Sequence, residues 1–222
     1  LASFSLMVAM AIMVSSFRVS VDDWLQHLLS ADMYVRVQNG GEAGRISTEE
    51  QQQIAHLPAV ARMETTRHQA IALDPSRPAV ALIARTLDAD APDRSIPIVG
   101  ESLKGLVRPV WISEAMVDLY GWQPGQSVEL PLQGKLVTFT VAGVWRDYAR
   151  QSGALMLRLE DYRALTGDMN INDVALWLRR DTSAAQLRAQ LESLPFAGTL
   201  EFAEPGEIRA ISLKIFDRSF AV

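Results

Sequence analysis

Residues 1–14, LASFSLMVAMAIMV, carry no charged side chain, and the pattern changes within one helical turn of Val14. Val14, Phe17, Val21, Trp24 and Leu28 follow at spacings of 3, 4, 3 and 4. That is one helical stripe, close to a coiled-coil seam. Ser16, Arg18, Ser20, Asp22, Asp23 and Gln26 occupy the other faces. An all-apolar helix that turns amphipathic is what leaves a bilayer and enters water. The 14-residue stretch rises only about 21 Å, against a hydrocarbon core of about 30 Å. Alone it is too short to cross, and three readings compete. A signal-peptide apolar region wants a basic flank and a small-residue cleavage site. The chain has no such flank before Leu1, and the helical pattern runs on unbroken. A buried core helix is the second reading. The favoured third is the C-terminal part of a transmembrane helix that begins before Leu1. Trp24 could anchor at an interface, but its place on the seam favours packing.

The other end mirrors this one. Pro205 suits the first turn of a helix. Ile208, Ile211, Ile215 and Val222 recur on one stripe, and Leu213, Phe216 and Phe220 widen it. The pattern stops in mid-helix at Ala221-Val222, with no Gly or Pro to end it, and implies continuation into a next transmembrane helix. Residues 1–30 and 205–222 are therefore expected to pair as an antiparallel stalk. The alternative is two ordinary core helices of a soluble protein.

Between the ends the period shifts. Asp32 to Val37 alternates as a strand, and Asn39-Gly40-Gly41 breaks it. Ser47-Thr48-Glu49-Glu50 is a capping box for a helix that runs to about Leu57 and stops at Pro58. Val60 to Leu73 and Ala79 to Leu87 read as strands around an Asp74-to-Pro78 turn. The same grammar returns late. Val174 to Leu178 is a strand, and Asp181 or Thr182 caps a helix carrying Leu187, Leu191 and Leu194. Pro195 stops that helix, and Thr199 to Ala203 is a strand again. Two strand–helix–strand units, residues 31–89 and 171–204, predict one α+β layer with helices on one face.

The insertion, residues 90–170, predicts a small β-rich subdomain. Ser113 starts a short helix that ends at Gly121, and Pro124-Gly125 is a turn. Ser127 to Leu132 and Leu136 to Val144 form a hairpin through Gln133-Gly134-Lys135. Val137, Phe139 and Val141 face one way, while Thr138 and Thr140 face the other. Ala154 to Leu159 is a strand, followed by a short helix with Tyr162 and Leu165.

Composition narrows the chemistry. The 222 residues suffice for a sizeable core, and 49% hydrophobic with 21% charged residues argues against disorder. The net charge of −5 and the lack of a basic run argue against a nucleic-acid partner. With no cysteine there is no disulfide, thiol catalysis or Cys-based zinc site. His27, His56 and His68 show no metal-ligand spacing, and no P-loop, G-x-S-x-G or G-x-G-x-x-G is present. Asp22-Asp23 and Glu49-Glu50 are adjacent helical pairs, about 100° apart around the axis, so neither converges on a substrate. No catalytic, cofactor or metal residue is assigned, and the chain is not expected to be an enzyme. Trp145-Arg146-Asp147-Tyr148 has two readings. Trp145, Arg146 and Tyr148 have the composition of a client or partner contact. The favoured reading is a strand end with Trp145 in the core and Arg146 and Asp147 in water. Trp111, Trp122 and Trp177 read as core or junction residues.

Three segments together resemble a known family. They are FRVSVDDWLQHLLSADMYVR from Phe17 to Arg36, SEAMVDLYGWQPGQSVELPLQGKLVTFTVAGVWRDY from Ser113 to Tyr148, and the terminal ISLKIFDRSFAV. Their order and texture resemble the periplasmic core domain of FtsX-like permeases of MacB-type ABC transporters. The resemblance implies a porter-like α+β part with a smaller inserted β-rich part, which matches the two units and the insertion above. It implies a place in the periplasm at a bacterial inner membrane. Its expected partners are a cytoplasmic ATPase subunit, a second permease copy or homologous domain, and a periplasmic client or adaptor. ATP would bind the separate ATPase, and no cofactor is expected in this chain. It further implies that ATP-driven stalk movement is transmitted to an extracytoplasmic client such as a lipoprotein, peptide or small amphiphile. The rival expectation is a free-standing exported ligand-binding module without catalytic activity.

Overall fold

The computed structural model describes residues 2–220, with side chains from Phe4 onward, so Val222 of the expected C-terminal stripe lies outside the described residues. The chain opens with α1 (Ala2–Leu28), followed by β1 (Met33–Val37), α2 (Thr48–Ala55) and β2 (Val60–Ile71). Then come β3 (Val80–Arg85), β4 (Ile98–Val99), β5 (Pro109–Ser113) and α3 (Glu114–Tyr120). The hairpin β6 (Ser127–Leu132) and β7 (Lys135–Trp145) precedes β8 (Ala154–Arg158) and α4 (Leu159–Thr166). The chain closes with β9 (Asp173–Leu178), α5 (Ala184–Glu192), β10 (Leu200–Ala203) and α6 (Pro205–Phe220).

All ten strands join one sheet in the order β10-β1-β9-β2-β3-β8-β5-β7-β4, with β6 on β7. The segment β10-β1-β9-β2 is antiparallel throughout. It comes from β1-α2-β2 and β9-α5-β10, so it is the split βαβ, or ferredoxin-like, arrangement. Both crossover helices start on capping boxes. Ser47 Oγ accepts from the Glu50 amide at 3.3 Å while Glu50 Oε2 accepts from the Ser47 amide at 2.7 Å. In α5 the cap is Ser183, not Asp181 or Thr182. The Gln186 amide donates to Ser183 Oγ at 3.2 Å, and Gln186 Oε1 accepts from the Ser183 amide at 2.8 Å. The Thr182 hydroxyl is already spent on the Arg179 carbonyl at 2.8 Å. At α3, Ser113 sits at the cap position, but its hydroxyl accepts from the Ala154 amide at 3.0 Å and ties β5 to β8 instead.

Three apolar clusters lie against this sheet. Met33, Val35, Ile54, Val174, Leu176, Leu187 and Leu191 close the split βαβ part. Val80, Leu82, Ile112, Leu130, Phe139, Leu155 and Tyr162 close one side of the inserted half. Ile83, Ile96, Trp111, Ala142, Trp145 and Met156 close its other side. The alternating residues of β3 and β8 feed both of the last two clusters, so these strands are covered on both faces. Residues 90–170 are thus continuous with the sheet through parallel pairing of β8 on β3, from Ala81↔Ala154 to Arg85↔Arg158. No break in the sheet falls at residue 89, because β3 packs with the inserted strands. Strand β5, with no counterpart in the sequence pattern, is buried at all five positions. A strand covered on both faces shows no alternation to detect.

A buried polar knot fixes the join between the early and late units. Asn172 is 4% exposed. Its Nδ2 donates to the Gly41, Glu42 and Gly44 carbonyls at 3.0–3.2 Å. Its Oδ1 accepts from the His68 amide at 2.7 Å and from Arg67 Nη1 at 3.0 Å. Arg67 Nε donates to Asp168 Oδ2 at 2.8 Å, and the Tyr162 hydroxyl donates to the same oxygen at 2.9 Å. Burial pushes the Asp168 carboxyl up, but the donors Arg67, Asn170 and Tyr162 outweigh it and hold the group at about 2.

Candidate functional site at the helical stalk

Helix α1 is one unbroken element, and within it Phe4–Leu28 is long and apolar enough to cross a membrane. Its best 18-residue window has a mean hydropathy of 1.8 and is 6% buried. The apolar reach therefore exceeds residues 1–14. Phe4, Leu6, Met7, Met10, Ile12 and Met13 all stand exposed. Without a tertiary partner, such a surface suits a hydrocarbon environment rather than water.

Below that run α1 meets α6, and the two helices are antiparallel. Arg18 Nε donates to Asp217 Oδ1 at 2.8 Å. Further along, Arg209 Nε and Nη2 reach the two carboxylate oxygens of Asp22 at 2.5 and 2.6 Å, a fork-to-fork pair. At the level of the Arg18–Asp217 pair and just beyond it, the Phe17 ring meets Phe216 at 5.3 Å and Phe220 at 6.0 Å, both edge-on.

A third element closes on the same helix. The loop after β7 sets Tyr148 edge-on against Phe17 at 5.5 Å and against Trp24 at 5.6 Å. Trp24 Nε1 donates to the Arg146 carbonyl at 3.0 Å. The loop is braced from inside. Asp147, whose side chain is 0% exposed, accepts from Arg150 Nη1 and from the Ala149 amide, both at 2.9 Å. Arg146 pairs with Glu114 at the start of α3 at 3.4 Å. Trp145, 1% exposed, is sunk in the apolar cluster behind β7. So Trp145 is core, Arg146 bridges to α3, and Tyr148 faces α1. This run, which also reads as a client contact, is occupied by the protein's own stalk helix.

Of the residues on the expected seam, Val21 is buried, and Val14, Trp24, Leu28 and Ile208 are half-buried. Phe17 keeps 38% exposure despite its three ring contacts. Leu25, absent from the expected stripe, is buried at 6%. Ile211 and Ile215 need correction. Each is 61% exposed and lies outside the α1 contact. The contacting stripe of α6 is Arg209, Phe216 and Phe220, about 100° around the helix from an isoleucine stripe one residue away. The opposite charges at Arg18 and Asp217 and at Asp22 and Arg209 were the sequence signal that apolar periodicity overlooks.

Polar groups also gather away from the stalk. An open cleft of ≈ 470 Å³ beside β1 and β2 is lined by Arg36, His68, Arg150, Asn172, Asp173 and Glu201 among others. There His68 Nε2 lies 2.6 Å from Asp173 Oδ2, and Arg36 lies 3.4 Å from Asp173 Oδ1. No serine, threonine, cysteine or lysine lines it to serve as a nucleophile. Among the described residues no three His, Cys, Asp or Glu side chains gather as a metal site.

An uncharacterized ABC transporter permease protein of Mycobacterium tuberculosis is 27% identical over 231 aligned positions, covering 98% of this chain. The chain spans only 27% of that relative's length. The crystal structure of the periplasmic region of MacB from Actinobacillus actinomycetemcomitans superposes with a TM-score of 0.52 at 11% identity. That match covers 85% of this chain and 95% of the other, and shows a shared fold. The extracellular domain of the noncanonic ABC-type transporter YknZ from Gram-positive bacteria gives a TM-score of 0.47 at 10% identity, covering 72% of this chain and 87% of that one. A family profile described as MacB-like periplasmic core domain matches residues 3–194, most of the chain, and the chain belongs to that family.

Proposed function

We propose that this chain is the extracytoplasmic domain of an ABC transporter permease subunit, and that it transmits stalk movement to the sheet and through it to an extracytoplasmic client. One observation carries the reading. Helix α1 is gripped at one level by both α6 and the loop after β7, with Phe17 touching Phe216, Phe220 and Tyr148. A displacement of α1 therefore reaches the inserted half directly, through Tyr148 and the Trp24–Arg146 hydrogen bond, and reaches the split βαβ part through the chain into β1. The apolar, exposed start of α1 supplies a membrane end for the lever. An ATPase subunit on the cytoplasmic side would drive it, and a second permease copy or homologous domain would complete the assembly. The chain itself performs no chemistry in this reading.

The test uses one spin label at Leu136, exposed in the inserted half and outside the contacts just described, and a second on the ATPase subunit. In the reconstituted permease–ATPase complex, the distance distribution between them should differ between nucleotide-free and ATP-bound states. Identical distributions in the two states would sink the coupling role.

A further inference from the structure

The two stalk helices also flank an open cleft of ≈ 460 Å³ lined by Arg18, Ala210, Leu213, Lys214, Asp217 and Arg218. Three cations and one carboxylate face it. Arg18 and Asp217 neutralise each other at 2.8 Å. Lys214 and Arg218 stand one turn apart on α6, about 6 Å along its axis, so both can approach a single anion. Leu213 and Ala210 give the cleft an apolar floor.

Its height along α1 is telling. Arg18 is the first charged residue of the chain. Ahead of it, Phe4 to Met13 present an exposed apolar surface without a charge, the kind that suits hydrocarbon. The cleft thus falls where acyl chains give way to headgroups. Arginine matches phosphate oxygens in bidentate fashion, and basic side chains are attracted to an anionic surface.

We propose that this cleft binds the phosphate headgroup of an anionic phospholipid of the extracytoplasmic leaflet, with Lys214 and Arg218 as its cationic partners, Arg18 at its mouth and the upper acyl carbons on Leu213. The site depends on α1 standing in a bilayer and not on the stalk's movement, so its failure would leave the coupling role intact.

The experiment takes the natural membrane protein that carries these residues, in nanodiscs of phosphatidylcholine and phosphatidylglycerol, and counts retained lipids by native mass spectrometry. The wild type should retain phosphatidylglycerol in preference to phosphatidylcholine. Lys214→Glu with Arg218→Glu should lower that retention roughly thirtyfold. Asp217→Asn, which removes the one acid, should raise it, so a gain as well as a loss is required. Equal retention by wild type and the double variant, or no preference between the two lipids, overturns the proposal. Displacement of the lipid by millimolar inorganic phosphate would also overturn it, by showing a site for free phosphate.

Discussion

Asp168 shows how one residue can hold two units together. Its carboxylate is enclosed yet kept ionised by Arg67, Asn170 and Tyr162, at about 2 against an ordinary value of 3.8. A depressed carboxyl contributes stability that is present above its unfolded value and lost as pH falls through its folded one. The window is therefore about pH 4 down to about pH 2, and the contribution at neutral pH is about 2 kcal/mol. Asp168→Asn should be less stable than wild type at pH 7, and that gap should shrink by about 2 kcal/mol near pH 2. Urea denaturation at the two pH values measures it, and a gap of constant size would contradict the account. None of this knot was legible in the sequence. Arg67 is 101 positions from Asp168, and the partners of Asn172 are 104 to 131 positions away, so no local pattern joins them.

At the scale of elements, local signals carried most of the assignment. The Ser47–Glu50 box started α2 where the residues said it would, since capping partners are three positions apart and need no tertiary context. For α5 the same motif exists as Ser183–Gln186 and outranks Asp181 and Thr182. Ser183→Ala should cost about 1 kcal/mol in thermal denaturation, whereas Asp181→Ala should stay within about 0.5 kcal/mol. A larger loss at Asp181 would return the cap to that residue. Strand β5 marks the opposite case. Val110, Trp111 and Ile112 are each 0% exposed between β8 and β7, and a strand hidden on both faces has no period-2 pattern to display.

For the whole molecule, the decisive contact is the closure of α6 and the loop after β7 on α1. The chain has no native cysteine, so introduced pairs report without background. Phe17→Cys with Phe216→Cys should crosslink with a short bifunctional thiol reagent several-fold faster than Phe17→Cys with Ile215→Cys. Phe216 meets Phe17, while Ile215 is 61% exposed on α6. Equal rates would mean that the helices pair through the isoleucine stripe after all. The same closure accounts for the interface-like composition of the Trp145–Tyr148 run. Its composition is that of an interface, and its partner is α1 of the same chain.

The sequence by itself determined the α+β class, the amphipathic ends, the two strand–helix–strand units and the β6–β7 hairpin. Each of these rests on periodicity, caps and turns within a window of a few residues. Tertiary structure alone decided that the inserted strands share one sheet with the rest, because parallel pairing of β8 on β3 joins residues 73 positions apart. It also decided which stripe of α6 faces α1. Apolar spacing offered the isoleucines, but oppositely charged and aromatic partners on a distant helix selected Arg209, Phe216 and Phe220. Long-range partner choice leaves no trace in local periodicity, and between α1 and α6 that choice sets which surface is spent on the fold and which stays exposed.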